Sequence, residues 1–159
     1  MSKLMVMIGL PRSGKSTLAK EMQSKAKQLH GDNYTILSAD TIRMELNGVK
    51  APQENEREVW NLFYKRYEQY LAEGRDIIID NTNVVGFYRK GLLQHVKNTN
   101  NIYTIIAVVM DTPLEIIYAR ATKENFPTRV INNMLRNYTS PKVSEGFDVI
   151  FKGNGGSNV

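Results

Sequence analysis

Residues 9 to 17 run Gly9-Leu10-Pro11-Arg12-Ser13-Gly14-Lys15-Ser16-Thr17 and satisfy G-x-x-x-x-G-K-[ST] at every fixed position. The apolar run Leu4-Met5-Val6-Met7-Ile8 leads into this segment. After it, Leu18, Met22, Ala26 and Leu29 recur at helical spacing until Gly31-Asp32-Asn33. An unbroken apolar strand implies cover on both faces, and strand, glycine turn and helix together open a βαβ unit. Gly9 and Gly14 are expected to take conformations closed to other residues, turning successive N–H groups inward onto phosphate oxygens. Gly9, Arg12, Ser13, Gly14, Lys15, Ser16 and Thr17 would form a cradle for ATP. Within it Lys15 reaches the β- and γ-phosphates, the Ser16 hydroxyl ligates Mg²⁺, and the helix adds its positive end. The dinucleotide fingerprint G-x-G-x-x-G is absent from this turn, which argues against a nicotinamide or flavin enzyme.

The alternation continues along the chain. Tyr34 to Ser38 gives a second strand and Thr41 to Leu46 a short helix before Asn47-Gly48. Pro52 precedes a longer helix with Glu54, Glu56 and Glu58 in its first turns, where acids suit the positive end of the helix dipole. Its apolar stripe is Val59, Phe63, Tyr67, Tyr70 and Leu71, and Gly74 stops it. Ile77-Ile78-Ile79 is a third strand closing on Asp80, Tyr88 to Val96 a helix, and Ile102 to Met110 a fourth strand. Pro113 opens another helix, a basic helical segment follows Pro127, and Phe147 to Phe151 gives the fifth strand. The expected fold is a three-layer α/β/α arrangement of the P-loop NTPase type, with a mainly parallel five-stranded sheet in 2-3-1-4-5 order. One domain would span residues 1–152, with a helical lid at about 120–142 and a frayed tail at 153–159.

Composition narrows the chemistry. Without cysteine there is no disulfide scaffold, thiolate zinc cluster, iron–sulfur centre or thiol nucleophile. No stretch approaches a membrane span, and Met1 to Gly9 runs into the motif rather than a cleavage site, so a cytoplasmic protein without a targeting segment is expected. The net charge of +5 is unevenly spread: residues 1–80 contribute +1, whereas 81–110 contribute +3 through Arg89, Lys90 and Lys97. Residues 116–142 add +4, with Arg120, Lys123, Arg129, Arg136 and Lys142 against Glu124 alone. Each such side chain can simply solvate a helix face. As a set they suggest a polyanionic or phosphorylated ligand.

Residues just after the strands of such a sheet face the bound phosphates. Asp40 follows the second strand with Arg43 three residues on, so one helical face can present a carboxylate to an acceptor hydroxyl and a guanidinium to a phosphate. Asp40 could equally cap the helix from Thr41. Asp80 ends a buried run, where either Mg²⁺ or a turn through Asp80-Asn81-Thr82-Asn83 would compensate its charge. Asn83 or Thr82 could contact the substrate. Arg120, late in its helix, can neutralise charge on a transferring phosphoryl group or merely solvate the helix end. His30 and His95 have no partner pattern and read as surface residues, and Trp60, Phe63 and the nearby tyrosines read as packing.

This set resembles the kinase domain of bacteriophage-type polynucleotide 5′-hydroxyl kinases and related P-loop kinases. The resemblance rests on Gly9 to Thr17, Ser38 to Arg43, Ile77 to Asn83, and Arg120 ahead of the segment Pro127 to Tyr138. It implies Asp40 as general base and Arg43 as a contact to the acceptor phosphate or transition state. It also implies Lys15 and Ser16 holding ATP and Mg²⁺, and Arg120 as the lid arginine. Arg12 stands where that family often has glycine, and Lys123-Glu124 where a second lid arginine is expected. The expectation is a kinase moving the γ-phosphate of ATP to the 5′-OH of RNA or DNA. The alternatives are a kinase of a nucleoside, nucleotide, sugar or antibiotic, or a nucleotide-binding regulatory module.

Overall fold

The computed structural model describes residues 1–154. Strands β1 (Ser2–Ile8), β2 (Tyr34–Leu37), β3 (Asp76–Ile79), β4 (Tyr103–Met110) and β5 (Val149–Gly153) form one sheet in the order β2-β3-β1-β4-β5. Every neighbouring pair is parallel. Helices α1 (Lys15–His30), α2 (Ala39–Asn47), α3 (Glu56–Ala72), α4 (Gly86–Lys97), α5 (Leu114–Lys123) and α6 (Thr128–Arg136) connect the strands, with a 3₁₀ turn at Val143–Glu145 before β5. Fold class and strand order agree with the sequence expectation.

The period of two along each strand divides the core. Leu4, Val6 and Ile8 of β1, with Ile77 and Ile79 of β3, join Val59, Phe63, Tyr67 and Leu71 of α3 and Leu92, Leu93 and Val96 of α4. Met7, Ile78 and Val108 turn to the other face, against Ala19 and the partly buried Leu18 and Met22 of α1. Burying a side chain such as Phe63 contributes roughly 1.5–3 kcal/mol, so these two layers hold the sheet in place. A third, smaller cluster of Leu10, Ile117, Ala121 and Ile131 seats α5 and α6 against the loop that leaves β1.

Several boundaries differ from expectation. α2 starts at Ala39 rather than Thr41, because the Ser38 hydroxyl caps it by accepting from the Thr41 N–H at 3.3 Å. α3 starts at Glu56, leaving Glu54 outside, and Tyr70 is only partly buried beside the fully packed stripe. β5 starts at Val149, with Phe147 buried in the core ahead of the strand. Gly153, expected in the tail, belongs to β5. A Cβ there would lie 2.6 Å from Leu18, and its carbonyl accepts from the Asp111 N–H at 2.8 Å. The rest of the expected tail, from residue 155 on, lies outside the described residues.

Candidate active site

The loop from Gly9 to Gly14 is held from behind by its carbonyls. Lys15 Nζ donates to Leu10 O at 2.9 Å, Arg120 Nη1 to Arg12 O at 3.1 Å, and Thr112 Oγ1 to Ser13 O at 2.6 Å. Gly9 N–H donates to Thr82 O at 2.9 Å, joining the loop to the end of β3. Gly14 sits at φ +92 and leads into α1, whose first turn has no side-chain cap and no acid. Its first N–H groups have no partner within the helix, which is the arrangement that receives anions. Gly9 is needed for a different reason from the one expected. A Cβ there would come within 2.8 Å of Met110 and of the Ser13 hydroxyl, so close approach, rather than an unusual φ, requires glycine. That Ser13 hydroxyl is buried and has no hydrogen-bond partner among the described residues.

Lys15 is buried, and loss of hydration pulls its pKa down to about 8, with Arg12 adding to the fall while Asp80 and Asp40 oppose it. Two carboxylates from different strand ends therefore act on one ammonium. Their placement depends on Asp80-Asn81-Thr82-Asn83, which works as a clamp. Asn81 Oδ1 accepts from the Ala39 N–H at 2.9 Å, fixing the start of α2, and Asp80 N–H donates to Leu37 O at 2.9 Å. Asn83, at φ +50, donates its amide to Met7 O at 2.8 Å and Asn81 O at 3.3 Å, so that amide holds the loop to β1.

Because Ser38 caps α2, Asp40 is released from the capping role and its carboxylate is 57% exposed. Arg43 Nη1 holds it at 2.8 Å. The remaining donors of Arg43 go to Glu56: Nη2 at 2.6 Å, and Nε at 3.0 and 3.3 Å to the two oxygens. This pair lowers the Glu56 pKa and raises that of Arg43, chiefly through the hydrogen bonds between them. The Arg43 guanidinium lies 5.9 Å over the Trp60 ring, and Phe63 and Tyr67 are core. Every nitrogen of Arg43 is thus engaged, and the residue holds Asp40 in place.

The segment around 120–126 grips the loop. Arg12 is in the left-handed region at φ +67, a conformation costing about 1–2 kcal/mol for a residue with a Cβ. Its side chain pairs with Glu124 at 2.7 Å and stacks 4.7 Å over Phe126. Arg89, counted among the solvated cations in the sequence, is 0% exposed. It donates to Glu145 at 2.8 and 2.9 Å, to Asn83 O at 2.9 Å and to Thr139 Oγ1 at 3.2 Å, so it belongs to the core rather than to the positive surface. His95 is likewise half-buried, stacked on Tyr64 and 3.0 Å from Glu68. Sequence reasoning missed Asn81, Glu56, Thr112 and Arg89 as parts of the site's frame. Of these, Thr112 could have been found, since it lies two residues past the end of β4, near the carboxyl end of the sheet as Asp80 does after β3.

L-Seryl-tRNA(Sec) kinase of Methanococcus maripaludis is 28% identical over 160 residues, covering 92% of this chain, and this chain spans 56% of that relative's length. Shikimate kinase of Clostridium botulinum is 27% identical over 135 residues, covering 78% of this chain and 68% of its own. The structure of Chaetomium thermophilum Kti12 in complex with ADP-AlF3 superposes with a TM-score of 0.75 at 17% identity, covering 95% of this chain and 88% of that one. The fold is P-loop kinase-like. The family described as chromatin associated protein KTI12 matches residues 1–149, nearly all of the described chain, and the chain belongs to that family.

Proposed function

We propose that this chain is an ATP-dependent kinase that transfers the γ-phosphoryl group to a hydroxyl on nucleic acid, the 5′-OH end of RNA or DNA. The observation that carries this reading is the convergence of buried Lys15 with Asp80 and Asp40 beside the uncapped start of α1. A binder without an acceptor needs no second carboxylate held by an Arg43–Glu56 pair. The unpartnered Ser13 hydroxyl and the free first turn of α1 fit the phosphates of ATP. Ser16 and Asp80 offer the hydroxyl and carboxylate oxygens that Mg²⁺ takes together with nucleotide phosphates. Mg²⁺, when bound, supplies charge neutralisation on the β- and γ-phosphates.

Lys15, charged when phosphates replace its lost hydration, draws negative charge from the γ-phosphate. Asp40 accepts the proton of the acceptor hydroxyl as that oxygen attacks phosphorus in line and ADP leaves. Arg43 orients Asp40, and Arg120, already at the loop, stabilises the transferring group. The 120–142 segment acts as a lid that excludes water. The exposed cations after residue 80 and the RNA named in the M. maripaludis relative support a nucleic-acid acceptor. The shikimate kinase relative favours a second reading, a small hydroxyl compound. Among the described residues no helix is long and apolar enough to cross a membrane, and the use of ATP supports action in the cytoplasm.

Incubation with γ-labelled ATP and a panel of 5′-OH RNA, 5′-OH DNA, nucleosides, sugars and hydroxy acids separates these readings. Label on an oligonucleotide end is expected. Label only on a small molecule selects the second reading, and label on no acceptor selects a regulatory nucleotide binder. Asp40→Asn is expected to slow transfer by roughly 10²–10⁴-fold with ATP binding retained. Loss of ATP binding in that variant would contradict the role as base.

A further inference from the structure

Two aromatic rings stand in solvent at the edge of this site. Phe87 and Tyr88, in the first turn of α4, are 79% and 66% exposed, with ring centroids 5.6 Å apart in an edge-to-face pair. Large rings left bare in this way cost solubility and contribute nothing to the core. The helix does not shield them. A helical side chain covers the surface one turn toward the N-terminus, so the residue that would lie across these rings is number 91, and it is Gly91. A Cβ there would meet nothing within 4 Å. Glycine in mid-helix destabilises by about 1 kcal/mol relative to alanine, and here it leaves the next turn of that helix without a side chain over the first.

The surroundings of the pair are polar and basic. Lys90 is exposed three residues beyond Phe87, on the same helical face. Tertiary contacts bring a second segment alongside: Gly86 N–H donates to Thr139 Oγ1 at 2.8 Å, and Thr139 N–H to Val84 O at 2.8 Å. Exposed Ser140 and Lys142 lie between that anchor and Glu145, which Arg89 neutralises from beneath. Neither residues 81–110 nor residues 125–144 contain a carboxylate, and the two meet where Val84 and Gly86 bond Thr139. The rings sit past the Asp80-to-Asn83 clamp, at the carboxyl end of β3.

We infer that Phe87 and Tyr88 form a stacking platform for an unpaired base of single-stranded nucleic acid, with Lys90 and Lys142 receiving the neighbouring phosphates. Flat rings with exposed lysines on the neighbouring segments, and with the Glu145 carboxylate already paired to Arg89, match a strand of stacked bases and phosphates better than an apolar protein surface. The inference rests on the nucleic-acid reading above and deepens it.

Fluorescence anisotropy of a 3′-labelled 5′-OH oligouridylate at low salt tests it, with the same strand carrying abasic residues at its 5′ end as control. Phe87→Ala and Tyr88→Ala are each expected to weaken binding of the base-bearing strand about 5- to 150-fold, the equivalent of 1–3 kcal/mol of stacking per base. Phe87→Trp should retain affinity, the abasic strand should bind all forms equally, and a fluorescent ATP analogue should report unchanged nucleotide binding. Alanine variants that hold the base-bearing strand as tightly as the unaltered protein would overturn the platform while leaving the kinase reading intact. Normal stacking losses without label transfer to the strand would support the platform and sink the reaction. An unaltered protein that binds neither strand would overturn both and leave the rings as a contact for a protein.

Discussion

Lys15 has lost most of its water before any phosphate arrives, and that loss is the main cause of the fall of its pKa to about 8. A polyphosphate favours the charged ammonium, so binding raises this pKa. Affinity for ATP is expected to be complete below about pH 8 and to fall up to tenfold per unit as pH rises above it. At pH 8.5, calorimetry in buffers of different ionisation enthalpy should show uptake of about three-quarters of a proton on binding. Constant affinity between pH 7 and 9.5 would contradict the buried-lysine account. The sign for folding is separate. The unfolded lysine keeps its proton to near 10.5, so the contribution of Lys15 to the free protein's stability rises with pH from about 8 toward that value. The motif spacing made Lys15 legible, but only its neighbours set its pKa. Arg12 shows the same division: its place in the loop was plain, whereas its positive φ and its grip on Glu124 and Phe126 depend on contacts more than a hundred residues away.

At the scale of elements, the Arg89 guanidinium adds a buried junction to the Gly86–Thr139 bond between α4 and the 139–145 segment. Arg89 faces Glu145, Thr139 and the Asn83 carbonyl from a position with no exposure. Removing one partner of a buried ion pair leaves the other unpaired, and Arg89→Met is expected to destabilise the protein by about 3 kcal/mol. For a chain of this size that is a fall in Tm of roughly 6–12 °C, readable by thermal denaturation. Arg89→Lys should recover little, because a single ammonium cannot replace a forked donor. A Tm within about 2 °C of the unaltered protein would show that the element is held by other contacts. The sequence expectation had Arg89 in solvent because a basic residue beside Lys90 in a polar helix carries no local mark of burial. Glu145, fifty-six positions away, is the mark. By contrast, the strands and most helices were legible, since continuous apolar runs and stripes such as Val59, Phe63, Tyr67 and Leu71 depend only on period.

Across the whole molecule, the charge surplus after residue 80 is smaller at the surface than the count suggests, because Arg89 is buried against Glu145. Lys90, Arg129, Arg136 and Lys142 remain exposed. If Lys90 and Lys142 each meet one phosphate of a single strand, replacing both by alanine should make the log Kd against log salt line shallower by about 1.4. An unchanged slope would place the strand elsewhere.

The sequence by itself determined the parallel α/β sheet, the phosphate loop and the candidacy of Asp40, Asp80 and Arg120, because each follows from local periodicity or from a motif with fixed spacing. Tertiary structure alone decided which cations are free, that Ser38 rather than Asp40 caps α2, and that Arg43 is spent on Glu56 and Asp40. It also brought Thr139 and the residues after it against Val84 and Gly86, next to Phe87 and Tyr88 in the chain. Those outcomes rest on partners distant in sequence, and a one-dimensional pattern contains no distances.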